Sequence, residues 1–137
     1  MTGGSGSGRA RPHASSLALL VAAVALPAAA WSCGACVEDK VAATYDHAVV
    51  QRAAAAGDTM VFCEVAGHFD MGQMRRAATR ANGVVAHSVR VSTEQQALSF
   101  AIDARRQSPQ AATQAMQQAL PRGVRLNIVR VMAAPLR

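Results

Sequence analysis

The stretch TMVFCEVAGHFDMGQMRRAATRANG, Thr59 to Gly83, decides how the chain is read. Its opening, TMVFCEVAG, is rich in β-branched and apolar residues and ends in Gly67, the signature of a strand. From Asp70 the pattern changes to a helix that Gly83 stops, with Met71 and Met74 three residues apart.

Downstream the two patterns keep alternating. VVAHSVRVST (Val84 to Thr93) and ALSFAID (Ala97 to Asp103) read as strands. SPQAATQAMQQAL (Ser108 to Leu120) reads as a helix, with Ser108 as its N-cap and Pro109 at its first position, where the missing N–H costs nothing. GVRLNIVRVM (Gly123 to Met132) closes as a strand. The expected order is βαββαβ, and among α+β architectures it points to a ferredoxin-like sandwich: a four-stranded antiparallel sheet with two helices on one face.

Upstream, Val37, Val41, Tyr45, Ala48, Val49 and Arg52 recur at three or four residues, so Val37 to Ala56 is expected as one amphipathic helix. Glu38 and Asp39 favour its first turn, and Gly57-Asp58 ends it. This extra N-terminal helix is placed to cover the second face of the sheet. Such a cover explains why Val61 and Phe62, neighbours that point to opposite faces, are both apolar.

The N-terminus has the layout of an export signal. Arg9 and Arg11 precede the apolar run LALLVAAVALPAAA, and Ala28-Ala29-Ala30 offers small residues for cleavage. The run is shorter than the roughly 20 residues a membrane-spanning helix needs. Residues 1–30 are therefore expected as a cleavable signal peptide, leaving 107 residues and no membrane segment. Residues 31–57 would hold a Cys-x-x-Cys segment and the N-terminal helix, and 58–137 the sandwich. Cleavage lowers the formal charge from +6 to +4. With arginines scattered over several elements and only one Trp, one Tyr and three Phe for stacking, nucleic acid is not an expected partner. The implied location is periplasmic or secreted.

Export places the three cysteines in an oxidising compartment. Cys33 and Cys36, in WSCGAC, precede or open the N-terminal helix, and His47 lies about three turns along, out of reach of a metal held there. Three uses of the pair remain open. Two thiolates can hold Cu(I) in a near-linear arrangement, whereas zinc wants about four ligands. A Cys-x-x-Cys at a helix N-terminus also suits thiol–disulfide exchange. Thirdly, a disulfide within the pair, or from Cys63 to one of them, would pin the N-terminal helix to the first strand. Cys63 alternates with Val61 and Val65, and its simplest reading is a buried thiol. His87, between Val85 and Val89, is read as partly buried on a strand face. No Gly-x-Ser-x-Gly elbow, phosphate-cradling glycine loop or His-Glu-x-x-His helix points to an enzyme.

From Val61 to about Val131 the chain resembles a heavy-metal-associated domain. The likeness rests on the strand VFCEVAG with its terminal Gly, the loop and helix after it, ANGVVAHSVRVSTEQQALSFAID, and the helix SPQAATQAMQQAL. The resemblance implies a ferredoxin-like fold that binds a soft metal. That family carries its metal in a Gly-Met-x-Cys-x-x-Cys loop; here, counting from Gly67, Asp70 and Gln73 occupy the two cysteine positions. Two replacements suggest themselves. His68, Met71 and Met74 would offer an imidazole and two thioethers to Cu(I). Alternatively Cys33 and Cys36 supply the thiolates, with Cys63, His68 or Met71 completing the site if the N-terminal arm folds back. The resulting expectation is an exported, non-catalytic Cu(I) or soft-metal binder using Cys33 and Cys36, passing the ion to a transfer partner. A periplasmic thiol–disulfide protein, and a structural or partner-binding domain without metal, are the alternatives.

Overall fold

The computed structural model describes residues 1, 3, 4 and 34–134. The leader reading and Cys33 lie outside the described residues. Residues 34–134 belong to the larger of the two units into which the chain divides. The larger unit is α+β, with elements α1 (Gly34–Thr44), α2 (His47–Ala56), β1 (Thr59–Ala66), α3 (Met71–Arg80), β2 (Arg90–Ser92), β3 (Ala97–Ile102), α4 (Pro109–Ala119) and β4 (Arg125–Met132). The strands form one antiparallel sheet in the order β2-β3-β1-β4.

β1 is central and apolar on both sides, which gives it two helical layers to support. Val61, Cys63 and Val65 point to the face covered by α3 and α4, where they meet Phe100, Met74 and Met116. Met60 and Phe62 point to the other face and pack with Val41 of α1 and Val49 and Ala53 of α2. Phe62 and Phe100 are both fully buried. In the β1–β4 pairing Phe62 faces Arg130 while Cys63 faces Ile128, so Val129 is an extra residue in a β-bulge. The bulge brings Val129 against the α1/α2 cluster and leaves Arg130 to bond Glu38 of α1.

The expected single N-terminal helix is two. The apolar spacing runs on through the break, but Asp46 is in extended conformation and caps α2, accepting from the Val49 N–H at 3.1 Å. Its other oxygen accepts from Arg90 Nε and Nη2 at 3.0 and 2.8 Å. Arg90 Nη1 in turn donates to the carbonyls of His87 and Val89. One carboxylate thus starts α2 and ties it to the start of β2.

The second strand is also shorter than expected. Only Arg90–Ser92 pair with β3; Val84 makes an isolated bridge to Ile102, and Ala86–Ser88 form a 3₁₀ turn. The turn survives beside a strand because Ser88 replaces the missing ladder. Its Oγ donates to the Val85 carbonyl at 2.5 Å and accepts from the Ala101 N–H at 2.7 Å. His87, on this turn, is exposed rather than partly buried.

Two consequences are measurable by chemical denaturation. Phe62→Ala opens a void between the sheet and α1/α2 and should cost about 3–5 kcal/mol, against about 0.5 kcal/mol or less for Val131→Ala at an exposed position. The Val49 N–H, then Arg90, hold the Asp46 pKa below its ordinary value. Such a group stabilises the fold above the ordinary carboxylate pKa and loses that contribution as pH falls through its folded value. Asp46→Asn keeps a capping oxygen but loses the charge, so it should lower the urea midpoint at neutral pH. The gap to wild type should close in acid; a gap independent of pH would refute the assignment.

Candidate functional site

The N-terminal thiol that can be placed sits where a helix begins. Cys36 lies in the first turn of α1, exposed and unbridged. Two residues on, Glu38 pairs with Arg130 of β4. Lys40 donates to the Gln95 carbonyl, beyond β2, and lies 3.8 Å from Glu64 of β1. At the helix's end the buried Ser99 hydroxyl of β3 donates to the Thr44 carbonyl at 2.9 Å. These anchors run α1 obliquely over the sheet from β4 towards β3, with Cys36 at the β4 end. Surface ion pairs contribute little each, so Ser99–Thr44, wholly buried, and the apolar contacts of Val41 hold the helix down.

Cys63 is on the wrong side of the sheet to join it. Its side chain packs under α3 and α4, whereas α1 lies across the opposite face. Burial pushes the thiol up to about 12, against a smaller lowering by a hydrogen bond with Thr113. A thiol kept neutral and enclosed is a poor ligand and a poor nucleophile at neutral pH. Neither the completion of an N-terminal site by Cys63 nor a disulfide from Cys63 to Cys36 fits this geometry; both cysteines are free.

The loop after β1 is occupied by helix capping. Asp70 Oδ1 accepts from the Gln73 N–H at 2.8 Å, so the two residues standing at the cysteine positions of the heavy-metal-associated pattern bond each other to start α3. Gly67 has a positive φ of 95°, and a Cβ there would lie 2.3 Å from the Gly123 carbonyl oxygen, so this loop abuts the α4–β4 turn and tolerates only glycine. His68 and Met71 are exposed, but Met74 is fully buried against the sheet. The imidazole and two thioethers therefore do not converge: Met74 serves the core, and His68 and Met71 lie in the α3 layer, across the sheet from Cys36. His47 starts α2 and is exposed.

The residue that sequence reading passed over is Asp46, with its Arg90 partner. The available signal was an Asp placed three residues before Val49 in YDHAVV, an N-cap pattern hidden within the longer apolar stripe. Among the described residues no group of three or more His, Cys, Asp or Glu is arranged to hold a metal ion, and no helix is long and apolar enough to cross a membrane. No known family, curated protein or solved structure matches the chain.

The burial of Cys63 has a direct readout. In Cys33→Ser/Cys36→Ser, which leaves Cys63 as the sole thiol, a thiol-specific reagent near pH 8 should label the native protein orders of magnitude more slowly than the denatured one. Equal rates would show that Cys63 is accessible.

Proposed function

We propose that the chain is an exported, non-catalytic soft-metal binder of the heavy-metal-associated type, holding Cu(I) or a similar ion between the thiolates of Cys33 and Cys36. The observation that carries this reading is the position of Cys36: an exposed, unbridged thiol in the first turn of a helix whose apolar side is fixed to the sheet. Cys33 precedes it by three residues. Thiolates are soft donors and two suffice for Cu(I), so no third ligand from the folded body is required.

The ferredoxin-like reading of the fold belongs to the same proposal. Apart from the 3₁₀ turn, the elements after α2 follow the order β1, α3, β2, β3, α4, β4, and the sheet order β2-β3-β1-β4 is the one that order generates when each βαβ half crosses past a central strand. In this reading the β1–α3 loop has exchanged its ligands for an N-cap, and the metal chemistry has moved to the opposite face. There a transfer partner would meet Cys36 beside β4. Residues 1–30 act as the export signal, which puts the mature chain in the periplasm or outside the cell.

Anaerobic titration of the reduced chain with Cu(I) against a competing chelator tests the proposal. One ion per chain should be held competitively, Cys33→Ser/Cys36→Ser should abolish binding, and Cys63→Ala should leave it unchanged. No competitive binding by the wild type would overturn the metal reading. The disulfide potential of Cys33 and Cys36 would then be the quantity to determine.

A further inference from the structure

A second site lies away from the cysteines, between α2 and the 3₁₀ turn. A cavity of about 230 Å³ is floored by Val49, Ala53, Val85 and Ala101, and its mouth carries Arg52, Asp58 and His87. The void follows from sequence: α2 presents small alanines, Ala53 and Ala56, to a part of the sheet where the 3₁₀ turn replaces a strand. Ser88, also in the wall, spends its hydroxyl on the Val85 carbonyl and the Ala101 N–H, so the floor offers no free polar group from it.

The mouth is the informative part. Arg52 and Asp58 carry opposite charges and line one cavity, yet no ion pair joins them among the described residues. Arg105, the guanidinium within Coulomb range of Asp58, is already bonded to Asp103 through Nε at 2.9 Å and Nη2 at 3.2 Å. Arg52 takes part in no ion pair or side-chain hydrogen bond among the described residues. The wall near Asp58 is also the C-terminal end of α2, where Gly57 and Asp58 cap the carbonyls of Ala53 and Ala54. The negative end of the helix dipole reinforces the carboxylate there and favours a cation. The mouth thus carries Asp58, suited to an ammonium, together with Arg52 and His87, suited to a carboxylate.

From this arrangement we infer that the cavity is a binding site for a small aliphatic α-amino acid. Its carboxylate meets Arg52 and His87, its ammonium meets Asp58, and its side chain rests on Val49, Ala53, Val85 and Ala101. Size sets the class. A cavity of about 150 Å³ takes benzene, so this one takes a ligand of about nine non-hydrogen atoms, the range of valine and leucine. The site lies on the α1/α2 side of the sheet but uses neither Cys36 nor its neighbours, so it stands whether or not the chain binds metal.

The test is a titration of the full chain with L-valine followed by amide NMR shifts. Saturable shifts confined to residues 49–58 and 85–88, complete by about 10 mM, are expected. Isobutylamine and isovalerate each keep one charged end and should bind at least about tenfold more weakly. Arg52→Gln and Asp58→Asn, at the rim, should each lose about tenfold, and Ala56→Leu, which fills the mouth, should abolish binding. No saturable shift with L-valine would overturn the inference. Isovalerate binding as tightly as valine would overturn it too, as would unchanged affinity in both charge variants.

Discussion

A central strand that is apolar on both faces must be covered twice, and β1 imposes that constraint on the whole molecule. Val61, Cys63 and Val65 demand one helical layer; Met60 and Phe62 demand a second. The α3/α4 pair meets the first demand from within the strand-helix alternation. Among the described residues the second is met by the segment upstream of β1, and α1 and α2 belong to the same compact unit as the sheet. At about 25 cal/mol per Å² of apolar surface removed from water, losing either layer would expose more than a small domain's net stability can absorb.

That partition also sorts the chemistry. Residues reachable from the α3/α4 side, His68, Met71 and Asp70, are separated by the sheet from those reachable from the α1/α2 side, Cys36, Arg52, Asp58 and His87. A group in the middle, Cys63, is consumed by packing and held neutral by burial. Polar residues that remain on the α1/α2 side do two jobs. Asp46, Arg90, Ser99 and Lys40 fasten the helices; Arg52 and Asp58 form no ion pair among the described residues and lie at a cavity mouth.

Much of the fold was legible because its signals are local. Ser108-Pro109 marks the start of α4, Gly67 and Gly83 punctuate β1 and α3, and the Val61/Phe62 pair announces a sheet covered on both sides. What escaped reading depends on contacts distant in sequence. The break between α1 and α2 is sealed by Arg90, 44 residues from Asp46. The Val85-His87-Val89 alternation looks like a strand, but Ser88 captures the Ala101 N–H and turns it into a 3₁₀ helix that faces His87 to solvent. For the site, the cysteine spacing was visible in the sequence, while the faces on which Cys36 and Cys63 lie were not. Only the pairing of β1 with β3 and β4 puts Cys63 and α1 on opposite sides.

The most direct measurement is X-ray absorption at the copper edge on the Cu(I)-loaded chain, compared with Cys63→Ala. With the ion held by Cys33 and Cys36 as proposed, separation of the two faces predicts two sulfur scatterers and identical spectra for both proteins. A third sulfur that disappears in Cys63→Ala would mean that the thiol beneath α3 and α4 reaches the N-terminal pair, and would contradict the partition on which the account rests.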